Sequence, residues 1–185
     1  MDRKKFILSL PLLLASPSIL AQAQTQKKAL IIYYSWSGNT RALANIIKKL
    51  ANADIVEIEP QTPYPKSYNA TVNMAKKEND AYFRRPIKNP AIDASKYEYV
   101  FVGSPDWWTK LSGPVRAALY SSDFSGKKIA PFMTHEGSGM GGAMKEIESA
   151  CKNSEILAPL AVWGSAANKA EPDAKKWLAK IGFKA

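Results

Sequence analysis

Apolar runs of strand length and segments of helical spacing alternate five times along this chain, and few folds accept that alternation. Residues 29–34 form a continuous apolar run, followed over 41–50 by Leu43, Ile46, Ile47 and Leu50 at helical spacing. Residues 55–58 alternate as a second strand. Pro60, Pro63 and Pro65 then break the chain, and 67–79 reads as a polar surface helix. A third strand at 99–102 leads to a loop and a short helix opened by Pro114. A fourth at 129–133 precedes a helix over about 142–151, and a fifth at 156–162 precedes a last helix from Pro172 to about 181. Strand runs this apolar are buried on both faces, so the pattern predicts an α/β fold: a doubly wound, five-stranded parallel sheet with helices on both faces. The Pro- and Lys-rich stretch 61–89 reads as an elaborated connection, because nothing in it suggests a second core.

At 185 residues the chain fits one domain. Its hydrophobic content of 46% and charged content of 23% exclude wholesale disorder. A single Cys and a single His exclude an internal disulfide and a Cys/His zinc cluster.

Arg3, Lys4 and Lys5 precede a mostly apolar run over 6–20, which ends in Ala21-Gln22-Ala23. A basic start, a short apolar stretch and an A-x-A end are the parts of a secretory signal peptide, expected over 1–23, with the domain over 24–185. The apolar run is too short to span a bilayer comfortably as a helix, which weighs against an uncleaved anchor. Arg3-Lys4-Lys5-Phe6-Ile7 resembles the twin-arginine export pattern with Lys in place of the second Arg, a route that carries proteins already folded around a cofactor. The expectation is an exported protein, periplasmic if the source is Gram-negative. The whole chain carries +10, and removing Asp2, Arg3, Lys4 and Lys5 with the signal leaves +8.

In open parallel sheets, ligands sit beyond the carboxyl ends of the strands, where strand order reverses. The loops after strands one, three and four are therefore the places to look. After strand one comes Ser35-Trp36-Ser37-Gly38-Asn39-Thr40, opening a helix. Helix N-termini offer free N–H groups to a phosphate, Gly38 permits a tight turn, and Ser35, Ser37 and Thr40 add hydroxyls. There is no G-K-S/T, so a triphosphate loop is not matched and a terminal monophosphate is the better fit. The alternative is a Ser/Thr-rich helix cap with no ligand. After strand three, Pro105 and Asp106 lead to the adjacent Trp107 and Trp108. Successive side chains at a strand end point opposite ways, so at least one ring should be exposed unless something flat covers it. The alternative is a Trp packed under its own loop.

After strand four, Thr134-His135-Glu136-Gly137-Ser138-Gly139-Met140-Gly141-Gly142 contains a G-x-G-x-x-G. The acidic residue a nicotinamide site needs at the end of the next strand is missing, which leaves a glycine-rich loop able to approach a planar ligand. His135 reads as a loop hydrogen-bonder, and Cys151 as a buried apolar residue.

Together these loops resemble the flavodoxin-like family. Ser35-Trp36-Ser37-Gly38-Asn39-Thr40 resembles its phosphate loop, S/T-x-T-G-x-T, with Ser37 and Asn39 as mild substitutions. Val102-Gly103-Ser104-Pro105-Asp106-Trp107-Trp108 is similar to its G-x-P-x-W-W loop. Phe132-Met133-Thr134 and Gly137-Ser138-Gly139 resemble its third, glycine-rich loop. The similarity spans about residues 28–183. It implies strand order 2-1-3-4-5 and bound FMN, with Ser35, Ser37, Gly38, Asn39 and Thr40 on the phosphate. Pro105, Asp106, Trp107 and Trp108 would wall the ring, and Thr134, His135, Glu136 and Gly137 would approach its other edge. Asp106 beside the ring would disfavour added negative charge there and lower the redox potential.

The resemblance implies an exported flavodoxin-like redox protein that carries electrons between protein partners. The alternatives are an FMN-dependent reductase of quinones or small aromatics, and a flavin-free binding module on the same scaffold. A charge of +8 suits acidic redox partners or an anionic membrane surface. Its lysines are dispersed rather than clustered with aromatics, which speaks against nucleic acid.

Overall fold

The computed structural model describes residues 29–89 and 91–184. The expected signal peptide, over 1–23, lies outside the described residues. The strands are β1 (Ala29–Tyr33), β2 (Asp54–Glu57), β3 (Tyr99–Pro105), β4 (Lys128–His135), β5 (Glu155–Ile156) and β6 (Leu160–Trp163). The helices are α1 (Asn39–Ala51), α2 (Tyr68–Asp80), α3 (Gly113–Ser121), α4 (Ala143–Ala150) and α5 (Glu171–Lys180). All pairings are parallel and run β2-β1-β3-β4-β5, with β6 also on β4. This is the expected order, 2-1-3-4-5.

Alternation along the strands divides the core into two layers. Ile31, Tyr33, Phe101 and Phe132 face α1 and α5, meeting Leu43, Ile47 and Trp177. Ile32, Val100, Val102 and Met133 face the other way, meeting Val115 and Leu119 of α3 and Ile147 of α4. On the first side Phe183 packs edge-on against Tyr99 and Phe101, with ring centres 5.0 and 5.4 Å apart. Each such fully buried ring or branched chain contributes roughly 1.5–3 kcal/mol from burial. Cys151 is buried, as expected, and burial pushes its thiol up to about 11.

The expected fifth strand, 156–162, is interrupted. Along β4 the register advances three residues from Ile129 to Phe132, while its partner advances four, from Ile156 to Leu160. One extra residue on one strand makes a bulge, and Pro159, lacking an N–H, cannot continue the ladder there. The Ala158 carbonyl instead accepts the indole N–H of Trp177 at 2.8 Å. A 3₁₀ helix over Gly164–Lys169, which periodicity does not reveal, follows β6 and packs on α1.

The long connection before β3 is anchored by buried groups. Tyr64, Ile87, Ala94 and Tyr97 join the second core layer, and Pro60 bridges Ile87 in antiparallel fashion. Beneath them lies an ion pair, Arg85 to Glu78 at 2.7 Å, with the Tyr64 hydroxyl donating to the same carboxylate. Among the described residues no helix is long and apolar enough to cross a membrane.

Candidate cofactor site

The chain steps from β1 to β2 on one side and to β3 on the other, so the ends of β1 and β3 diverge. The loops after β1, β3 and β4 converge there on a cleft of about 590 Å³. Of the residues expected at the site, Ser37, Asn39, Pro105, Asp106, Trp107, Trp108, Thr134, His135 and Glu136 line it. Ser35, Gly38, Thr40 and Gly137 do not line it, and each instead makes a hydrogen bond that shapes the loops.

Gly38 precedes α1 with φ 97°, a left-handed conformation that side-chain-bearing residues adopt at a cost. Its N–H donates to Ser35 Oγ at 3.1 Å, closing the loop on itself. No side-chain hydrogen bond caps α1, and its first turn holds no acidic residue. The Thr40 hydroxyl is engaged with Thr134 Oγ1 at 2.8 Å, tying the first loop to the third. Neither the Ser35 nor the Thr40 hydroxyl caps α1. The first-turn N–H groups carry partial positive charge, and Ser37 and Asn39 beside them line the cleft, a start suited to an anion.

The two tryptophans divide their roles. Trp107 packs edge-on against Tyr34 and Tyr64, with ring centres 5.8 and 4.7 Å away. Trp108 is 50% exposed at the cleft, its indole N–H donating to the Val72 carbonyl at 3.2 Å. Trp107 and Lys110 exchange backbone hydrogen bonds at 3.1 and 3.2 Å, which makes Trp108 and Thr109 the centre of a tight turn. Both have positive φ, 55° and 63°, in a turn type that favours Asn-Gly. Such residues each cost roughly 1–3 kcal/mol and concentrate at ligand clamps. The turn is held from beneath: the Asn79 amide donates to the Trp107 carbonyl, and the Arg116 guanidinium donates to Asn79 Oδ1 at 2.9 Å.

In the third loop His135 is a hydrogen-bonder, as expected, its Nδ1 accepting from the Gly137 N–H at 2.9 Å. A Cβ on Gly141 would lie 2.6 Å from the Thr109 carbonyl oxygen, so at this glycine the loop packs backbone against backbone. Gly164, beyond the expected set, leaves room for Glu136 and Asn39: a Cβ there would lie 2.4 and 2.6 Å from their side chains. The sequence places a surface helix at 67–79 but gives no sign of its part in the site: Tyr68, Thr71, Val72 and Ala75 of α2 form the wall facing Trp108.

Asp106 is the charged residue deepest in this wall. Its Oδ2 accepts the Ser138 hydroxyl, while Oδ1 is buried with no hydrogen bond of normal geometry. Burial raises its carboxyl above the ordinary Asp range, against weaker opposing pulls from the Ser138 hydroxyl, the Thr109 backbone and His135. An unpartnered buried acceptor beside an aromatic rim suits a flat ligand that brings an N–H donor. An uncapped helix start, a half-exposed indole and this acceptor on one cleft fit a planar heterocycle with a terminal phosphate.

The sequence profile of the flavodoxin family matches residues 28–181. The chain belongs to the flavodoxin family. Among solved flavodoxin-fold structures, it is similar to a candidate flavoprotein from Bacteroides eggerthii at 24% identity and a TM-score of 0.74, covering 85% of this chain and 99% of that one. A second candidate flavoprotein, from Bacteroides uniformis, is 22% identical with a TM-score of 0.73, covering 83% of this chain and 99% of that one. A flavoprotein from Lactobacillus acidophilus, solved in complex with FMN, is 22% identical with a TM-score of 0.61, covering 77% and 97%. At these identities the likeness speaks for the fold. No curated protein matches the chain.

Proposed function

We propose that this flavodoxin-family protein binds one FMN and carries electrons between protein partners outside the cytoplasm. The observation that carries the reading is the convergence of the uncapped start of α1 with the Trp108 rim and the Asp106 acceptor on a single cleft. The FMN complex of the Lactobacillus acidophilus relative supports the choice of ligand. FMN would supply one- and two-electron redox chemistry, and the protein orients and tunes it.

Ser37 and Asn39 would meet the phosphate, with Ser35, Gly38 and Thr40 fixing the loop behind them through the Gly38–Ser35 and Thr40–Thr134 hydrogen bonds. Trp108 would cover one face of the ring, backed by Trp107. Thr134, His135 and Glu136 would meet its other edge, with Gly137 orienting His135. Asp106 would accept a ring N–H and, when ionised, resist added negative charge. The charge of +8 beyond residue 23 favours acidic redox partners through long-range steering. Export rests on the basic, apolar, A-x-A beginning of the chain.

Two experiments test the reading. FMN titrated into apoprotein should bind at one per chain, and dithionite should reduce it reversibly. Fractionated cells should hold the protein outside the cytoplasm with its N-terminus beginning at Gln24. A protein that binds FMN yet reduces quinones from a hydride donor at steady state would be a reductase instead.

A further inference from the structure

All six large apolar or aromatic side chains exposed on the described surface fall into two groups. Tyr68, Trp108 and Trp163 stand at or beside the cleft. Tyr82 and Tyr120 stand across the Trp107–Lys110 turn from it, with Phe83 next to Tyr82 in the chain. Single exposed aromatics are ordinary, but a cluster marks a surface that meets something.

A groove of about 270 Å³ runs beside this second group, walled by Tyr82, Arg84, Lys110, Tyr120, Lys145 and Glu146. Aromatic faces hold its cations in place. The Arg84 guanidinium lies 3.6 Å from the Tyr120 ring centre, and Lys110 Nζ lies 3.9 Å from that of Tyr82. The single carboxylate in the wall, Glu146, is matched by buried Arg116 at 2.7 Å. Arg84, Lys110 and Lys145 make no ion pair among the described residues and are left as excess positive charge. Rings that lose little entropy on contact, an Arg and a charged margin are the composition of protein interfaces.

We propose that this groove docks an acidic segment of a protein partner, its carboxylates on Arg84, Lys110 and Lys145 and an apolar side chain against Tyr82 and Tyr120. The concave shape admits a chain segment, which a flat lipid surface does not offer. The surface deepens the electron-carrier reading and rests on it only in taking the partner to be a redox protein. A partner seated here abuts Thr109, the neighbour of Trp108 in the cleft wall.

The test uses the mature chain and a fluorescent Glu/Leu peptide as probe, followed by anisotropy with and without FMN. The wild type should bind the peptide at low salt, and Arg84→Glu with Lys145→Glu should weaken binding by about tenfold or more. A Gln/Leu peptide should bind as weakly as the charge-reversed pair, and Tyr120→Ser should also weaken binding. FMN affinity should be unchanged in every one of these variants. Absence of peptide binding, or binding indifferent to charge reversal, overturns the proposal. So does preferential, Arg84-dependent binding to phosphatidylglycerol vesicles, or self-association through the groove in sedimentation. If FMN fails to bind while peptide binding follows the variants, the electron-carrier reading falls and the docking surface stands.

Discussion

The Gly142 amide donates to the Thr109 carbonyl at 2.6 Å, and Gly141 beside it leaves no room for a Cβ against the same residue. The glycine-rich loop after β4 is thus a bracket for the strained Trp108-Thr109 turn. Gly141 has φ 48°, so alanine there meets both backbone strain and a clash with Thr109. Gly141→Ala should cost about 1–3 kcal/mol in urea unfolding and weaken FMN binding by displacing Trp108. Gly139, also at positive φ but with open space around it, should cost less on the same substitution.

Gly103 lies under the Phe132 ring, where a Cβ would come within 2.2 Å of the ring edge and 2.8 Å of Tyr33 Cβ. Overpacking of this kind costs roughly 1–3 kcal/mol, and Gly103→Ala should sit at the upper end because Tyr33 of β1 and Phe132 of β4 confine position 103 from both sides. Adding Phe132→Leu to Gly103→Ala should recover part of the loss in the same denaturation assay.

Arg116 is 2% exposed and fully engaged with Glu146, Asn79, Phe83 O and Leu111 O. Arg116→Met leaves Glu146 buried and unpaired, an arrangement that costs about 3–5 kcal/mol. Arg116→Met with Glu146→Leu should be markedly less destabilised than Arg116→Met alone, as read by thermal unfolding. Lysine should substitute poorly, because it cannot span Glu146 and Asn79 together.

The alternation of the five strand runs and the order of the three loops could be read from residues because both are periodic or carried by marked residues. Other features leave no such trace. Tyr68, Thr71, Val72 and Ala75 form a cleft wall with side chains that would suit any surface helix, and only the tertiary placement of α2 gives them a role. The break in the fifth strand did have a signal, Pro159, within an apolar run that otherwise looked continuous. The glycines at 141 and 142 were visible, but whether ligand or protein backbone approaches them depends on where the β3 loop folds back.

Burial raises the Asp106 carboxyl, so the folded chain binds that proton more readily than the unfolded one. Between the ordinary Asp value and the raised one, apoprotein stability should therefore fall as pH rises, the reverse of a salt-bridged carboxylate. Above that window the penalty persists unchanged. Asp106→Asn should abolish this part of the pH dependence and raise the neutral-pH Tm of the apoprotein. In the FMN-loaded protein it should also raise the midpoint potential, measured by dithionite titration against reference dyes.

The most direct test of the account is titration of apoprotein with FMN, followed by quenching of flavin fluorescence and repeated with riboflavin. Saturation at one FMN per chain is expected, with much weaker binding of riboflavin, which lacks the phosphate that the start of α1 would hold. Apoprotein that leaves FMN fluorescence unquenched at high concentration, or that binds riboflavin as well as FMN, would contradict it.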